Sequence, residues 1–198
     1  VILAGCQTTG PITGAKPLSE EAEDTVASII EPTPPPRVEK PLPPPRDLWE
    51  RIRRELTWQS IHNKEVGRQR DGYLRQPDYI PVIAERAGLY LHYIVGEVER
   101  RGMPMEIALL PLVESTLNPF AYSSSRAAGL WQIMPATGRY LGLEQDWWYD
   151  GRRDIVASTR AALDYLQQLN RRFDGNWELA LAAYNSGGGT VSRALRKN

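Results

Sequence analysis

The chain has 198 residues, 24 of them basic and 24 acidic, for a formal net charge of zero. That length accommodates one domain with a substantial core plus a tail. The balanced charge leaves no electrostatic footprint for nucleic acid, and the basic groups Arg51, Arg53, Arg54 and Arg100, Arg101 have acidic neighbours and read as solvated faces. One cysteine and two histidines, His62 and His92, without metal-ligand spacing argue against zinc and thiol chemistry, so no metal and no cofactor is expected.

The chain opens on "VILAGC", an apolar run closed by small residues and Cys6, with no basic residues before it. It reads as the clipped end of a secretory signal. The "LAGC" part resembles a bacterial lipobox, which implies cleavage before Cys6 and lipidation there; the alternative is a chance tetrapeptide with a free thiol. Several acyl chains, at about 0.8 kcal/mol per buried methylene, would hold a protein stably on a bilayer. No other segment has the roughly 18 consecutive apolar residues needed to cross one. The expectation is a protein anchored to a membrane by lipid.

Residues 7–46 carry few large apolar side chains and are proline-rich, above all in "EPTPPPRVEKPLPPPR". Such a segment cannot bury enough surface to offset its ordering entropy, so a disordered tether with stiff polyproline II pieces is predicted.

From Asp47 the pattern turns helical. Asp47 is placed to cap a helix carrying Leu48, Ile52 and Leu56. A second helix, from about Pro81, repeats apolar residues at three-and-four spacing through Ile83, Ala87, Leu91, Ile94 and Val98, with Gly102 and Pro104 as its stop and the next start. These two make residues 47–101 a helical N-terminal extension. A third runs through Ile155, Thr159, Ala162, Leu166, Leu169 and Phe173, and a short fourth holds Trp177, Leu181 and Tyr184 on one stripe before glycines end it. No convincing period-two alternation occurs, so the globular part should be all-α.

Between the second and third helices, "LLPLVESTLNPFAYS" places Glu114 at the end of an apolar run. If the run is one helix, Ile107, Leu110 and Glu114 share a face, and desolvation would raise the carboxyl pKa unless a buried arginine pairs with it. A proton-transfer acid and a structural ion pair are both open on this stretch alone. Three segments then stand out in order: "ESTLNPFAYSSSRAAGLWQIMPATG", "YDGRRD" and "AAYNSG". Each is weak by itself, because such clusters are common in turns and caps.

Together the segments resemble the lytic transglycosylase family of goose-lysozyme-like fold, and within it the membrane-bound lytic murein transglycosylase D group. Glu114, Ser115, Asn118 and Pro119 match the catalytic-glutamate segment; Gly129 to Pro135 match the "GL-aromatic-Q-hydrophobic-M-P" segment; Ala183 to Gly187 match the "AYN-small-G" segment. The resemblance spans residues 47–198 and implies a lysozyme-like catalytic domain over 102–198. Relatives of that group continue into C-terminal peptidoglycan-binding LysM repeats.

The implied activity is cleavage of the bond between N-acetylmuramic acid and N-acetylglucosamine in peptidoglycan strands without water. By this resemblance Glu114 first protonates the glycosidic oxygen, the 2-acetamido group stabilises the developing cation, and Glu114 then deprotonates the C6 hydroxyl to close a 1,6-anhydro ring. A tethered nucleophile lessens the need for a second carboxylate, and burial would keep Glu114 protonated. Asp146, Asp150 and Asp154 read as turn and helix-start residues. Ser115 and Gln132 are candidates to bind sugar or acetamido groups, with capping or core satisfaction as the alternative. Tyr184 and Asn185 are candidates to orient Glu114 or the acetamido group. Met134 and Trp131 would line the glycan groove or pack in the core, and Tyr122, Trp147 and Trp148 would stack on sugars or simply pack. The implied setting is a lipid anchor at the periplasmic face of a Gram-negative outer membrane; no oligomeric state follows. A hydrolase of the same bond and an inactive glycan-binding lipoprotein are the competing readings.

Overall fold

The computed structural model describes residues 44–58 and 63–197. The expected lipidation site Cys6, the tether as far as residue 43 and His62 lie outside them. Among the described residues there are eight α-helices and one 3-10 helix, and the only β pairing is three isolated bridges. The described part of the chain is all-α, as its periodicity predicts.

Helix α1 (Leu48–Glu55) begins where Asp47 accepts a hydrogen bond from the Glu50 amide at 2.7 Å, the side-chain cap expected there, and it buries Ile52. Helix α2 (Lys64–Leu74) was not legible in the sequence: it buries no residue, so it carries no apolar stripe. Helix α3 (Tyr79–Arg100) is the long one, and starts two residues before Pro81, which its first turn tolerates because those amides have no intrahelical acceptor. It lays Ile83, Ala87, Leu91, Ile94, Val95 and Val98 against the core. Gly102, at φ 60°, donates to the Glu99 carbonyl and Met103 to the Val98 carbonyl, a pair of bonds that satisfies the last carbonyls and turns the chain.

The following apolar run is not one helix. Residues Met105–Leu109 wind as a 3-10 helix and α4 (Leu110–Ser115) follows as barely more than a turn, with Pro111 in its first turn. Tighter winding changes the phase between Ile107 and Glu114, so the face inferred for a continuous helix does not hold across the junction. Ile107 is fully buried while Glu114 is only half-buried. After α4 the chain runs irregularly to α5 (Pro135–Tyr140), then through a tight loop to α6 (Ile155–Arg172), which Asp154 caps by accepting from the Ala157 amide at 2.7 Å. Helix α7 (Trp177–Ser186), capped by Asn176, and helix α8 (Gly188–Leu195) complete the order. The glycines that read as a terminator do end α7, yet the next helix begins on the second of them.

The main core joins Leu91, Ile94 and Val98 of α3, Met105 and Ile107 of the 3-10 helix, Leu117, Leu130 and Trp131 of the irregular segment, and Leu163 and Leu166 of α6. A smaller cluster packs Leu169 and Phe173 against Ala180, Ala183 and Val191. Trp177 and Tyr184 touch both clusters, so the first and last turns of α7 bridge them.

Candidate active site

Glu114 is the second-last residue of α4, a helix that ends abruptly because Thr116 and Leu117 both adopt left-handed backbone, at φ 54° and 55°. That conformation is strained for a β-branched residue. Full burial of Leu117 helps hold it, together with the Arg86 guanidinium, which donates to the Thr116 carbonyl at 2.9 Å. The turn stops α4 one residue after Glu114 and leaves the carboxyl half in solvent.

Burial pushes the Glu114 carboxyl above its ordinary value, and no cation opposes that shift among the described residues. Among the described residues Glu114 forms none of the ion pairs that the sequence left open. On the outer flank of the same helix, Leu112 and Val113 line an apolar cavity of about 470 Å³ with Trp49, Tyr79 and Ile80. The carboxyl thus belongs to a largely apolar element.

Ser115 has its hydroxyl occupied by backbone. It lies 2.9 Å from the Leu130 carbonyl and 3.1 Å from the Pro111 carbonyl, and accepts from the Asn118 amide at 3.2 Å. Those bonds tie α4 to the "GLWQIMP" segment. Within that segment Trp131 is fully buried, with its indole N–H donating to the Thr159 hydroxyl at 3.0 Å. Of the two positions offered to Trp131 by the sequence, groove wall and core, the structure selects the core. Next to it, Gln132 sits at φ 47° and its amide nitrogen donates to the Gly129 carbonyl at 3.0 Å, with a longer 3.4 Å contact to that of Ala121. Both nitrogen partners are carbonyls, which orients the amide oxygen away from them.

Gln132, Met134, Tyr184 and Asn185 meet at one cleft of about 170 Å³, lined also by Thr137 and Tyr165. Thr137 and Tyr165 continue into an adjoining cavity of about 460 Å³ with Tyr140, Gln168 and Arg172. Met134 is 43% exposed at the cleft although apolar, and Asn185 is exposed. Glu114 does not line the cleft. Tyr184, which does line it, donates its hydroxyl to the Trp131 carbonyl at 2.7 Å. The Tyr184 pKa is driven up by burial first and then by the Glu114 charge, so the phenol stays neutral. The sequence reading missed Tyr165, which falls outside the apolar stripe of α6; its tilted ring contact with Tyr184, at 5.9 Å between centroids, is a purely tertiary feature.

The "YDGRRD" stretch serves the site through Arg152. Only 5% exposed, it donates to the carbonyls of Arg126 (2.8 Å) and Ile133 (3.1 Å) and pairs with Asp150 at 2.7 Å. Asp150 is desolvated, yet hydrogen bonds from Arg152 outweigh that and hold its carboxyl below the ordinary range. Asp146 accepts from two amides of its own turn and Asp154 caps α6. All three carboxylates have structural duties, as their positions in a turn and at a helix start suggested. Gly129, at φ 79°, has a backbone reason to be glycine: a Cβ there would lie 1.9 Å from the Arg152 carbonyl oxygen.

Residues 93–198 match the family model for the transglycosylase SLT domain. Over its whole length the chain is 44% identical to the membrane-bound lytic murein transglycosylase D of Escherichia coli K12, covering 44% of that protein. It is 31% identical to the membrane-bound lytic murein transglycosylase C of Glaesserella parasuis over 68% of this chain and 42% of the relative. The chain therefore spans less than half the length of these curated relatives. A solved lytic transglycosylase Slt from Pseudomonas aeruginosa, an inactive mutant, superposes with a TM-score of 0.45 at 31% identity, covering 53% of this chain and 18% of the other. By the match over residues 93–198, which contains Glu114, Gln132 and Tyr184, the chain belongs to the transglycosylase SLT domain family.

Proposed function

We propose that the protein is a peptidoglycan lytic transglycosylase that cleaves the bond between N-acetylmuramic acid and N-acetylglucosamine and leaves a 1,6-anhydro end. The observation that carries this reading is the state of Glu114: a half-buried carboxyl, raised in pKa by burial, with no pairing cation among the described residues and with the neutral phenol of Tyr184 within electrostatic reach. A carboxyl that holds its proton above the ordinary carboxylate range is what donation to a glycosidic oxygen favours. Family membership and the names of the relatives support the substrate class.

In this reading Glu114 donates its proton to the leaving oxygen, and its carboxylate then takes the proton of the C6 hydroxyl, so it ends the cycle protonated again. The nucleophile belongs to the substrate, which replaces a second carboxylate by proximity. Gln132 presents its amide oxygen to a sugar N–H or O–H; Met134 and Asn185 contact the strand beside it. Tyr184 is a positioning residue that holds the Trp131 carbonyl and shapes the field at Glu114. Ser115, with its hydroxyl engaged by backbone, positions the loop rather than the sugar.

Residues 102–198 would form the lysozyme-like catalytic domain, with 47–101 as a helical extension. Cys6 would carry the lipid and residues 7–46 the tether, which sets the enzyme at the periplasmic face of a Gram-negative outer membrane. No helix among the described residues is long and apolar enough to cross a membrane. Mass spectrometry of purified sacculi after digestion tests the reaction: products lighter than hydrolysed muropeptides by one water support it, whereas reducing ends alone make the protein a hydrolase, and no release makes it a binding protein. Labelling with radioactive palmitate, lost in Cys6→Ala, tests the anchor.

A further inference from the structure

The loop from Asp146 to Asp150 displays two indoles to solvent. Trp147 is 80% exposed and Trp148 79%, with ring centroids 3.5 Å apart and planes tilted by 36°. Core packing explains neither side chain. The loop beneath them is rigid: the Asp146 amide donates to the Tyr149 carbonyl at 2.9 Å, and the Asp146 carboxylate accepts from the amides of Trp148 and Tyr149, both at 2.7 Å. A cavity of about 490 Å³ lies here, lined by Asp146, both tryptophans, Tyr149, Arg153 and Asp154 among others.

We propose that Trp147 and Trp148 form an aromatic shelf that binds a saccharide unit of the glycan strand, as a subsite beyond the Gln132 cleft; this rests on the glycan-cleaving reading above. Sugars present apolar C–H faces and polar rims, and the lining has the matching halves. The indoles offer flat apolar surface, the Asp146 and Asp154 carboxylates accept from hydroxyl or amide hydrogens, and the Arg153 guanidinium, 5.6 Å above the Tyr122 ring, donates. Charge points the same way. Glu144, Asp146, Asp150 and Asp154 outnumber Arg152 and Arg153 around the shelf, which repels anionic lipid headgroups and leaves an uncharged sugar face unaffected.

The shelf is also joined mechanically to the cleft. Arg152 runs from this loop to the Ile133 carbonyl, between Gln132 and Met134, and Gln145 donates to the Pro135 carbonyl at 3.1 Å. The loop and the Gln132 segment are thus held on one hydrogen-bonded framework. Among the described residues, the cavity beside α4 is lined mostly by apolar side chains, and the Tyr140 cavity adjoins the cleft.

The test uses the 198-residue chain carrying Glu114→Gln, so that binding is measured without turnover. Sedimentation with purified sacculi and titration with the hexamer of N-acetylglucosamine are compared with and without Trp147→Ala plus Trp148→Ala. The expected result is about tenfold weaker binding in the double variant, largely restored by Trp147→Tyr plus Trp148→Tyr, with an unchanged thermal midpoint because both side chains are exposed. Equal binding by the Ala variant overturns the shelf while leaving the functional reading intact. Failure of the Glu114→Gln parent to bind either glycan overturns both. Loss of binding to vesicles of phosphatidylethanolamine and phosphatidylglycerol, with sacculus binding retained, makes the indoles a membrane contact and also overturns it.

Discussion

The hydroxyl of Tyr184 donates to the carbonyl of Trp131 across 2.7 Å of space and 53 residues of chain. That single bond fastens the last turn of α7 to the segment bearing Gln132, and sets a neutral phenol within the field of Glu114. Both halves of the bond are needed. Without the hydroxyl, the carbonyl of a fully buried residue loses its acceptor role; without the carbonyl, the phenol has no fixed orientation.

Tyr184→Phe therefore destabilises the protein by about 1–3 kcal/mol, the cost of leaving a buried carbonyl unpaired. Urea denaturation measures it. On the proposed function the same variant lowers turnover more than it changes the Michaelis constant, because the phenol lies within the field of the Glu114 carboxyl. An unchanged denaturation midpoint would show the bond to be dispensable.

Glu114→Gln keeps the shape of the side chain and removes its titratable proton. Product release from sacculi falls by about 10²- to 10⁴-fold, the usual share of a general acid and base, while helical circular dichroism is unchanged. Residual activity near the parent level would move the chemistry to another group.

The pH dependence of stability follows from the direction of the Glu114 shift. Its folded pKa lies above the ordinary 4.5, so the folded state holds this proton more tightly than the unfolded chain. The resulting stabilisation is fully present below 4.5 and is lost as pH rises through the folded value. Relative to Glu114→Gln, the parent protein thus loses thermal stability as pH is raised above the ordinary 4.5 and through the folded value. Paired melting curves at each pH check the trend, and a difference that does not vary with pH contradicts it. Activity limited by the protonated acid declines over the same upper range.

Gly129→Ala would destabilise by about 3 kcal/mol or more, through left-handed strain plus a backbone clash. At φ 79° the new methyl would fall 1.9 Å from the Arg152 carbonyl oxygen, and neither partner is a flexible side-chain end. The Gln132 segment and the "YDGRRD" loop must then separate. Thermal melting reads the loss, and a wild-type midpoint would mean that the two loops move apart freely.

Much of the fold was legible because helices declare themselves locally. Helices α3, α6 and α7 each bury several residues on one side and α1 buries Ile52, and three of their four starts are marked by a capping Asp or Asn. The elements that escaped lack a buried stripe or open on misleading residues, although Asn63 caps α2 by accepting from the Val66 amide at 2.8 Å. Helix α2 has no buried residue, and α8 opens on glycines that resemble a terminator. The run before Glu114 has the right residues for a helix but splits into two windings, a distinction that periodicity over so few residues cannot make.

For the site the division lies elsewhere. Sequence by itself determined which residue types stand where: one acid after an apolar run, a glutamine in a glycine-led loop, and a tyrosine and asparagine closing a helix. It determined this because each motif is contiguous and its chemistry is carried by residue identity. Only the tertiary structure decided that Ser115 is spent on backbone, that Trp131 belongs to the core while Met134 faces the cleft, and that burial rather than a charge partner sets the state of Glu114. Those outcomes depend on which atoms meet after separations of 15 to 53 residues. Solvation and hydrogen bonding are properties of that meeting, and no local pattern encodes them.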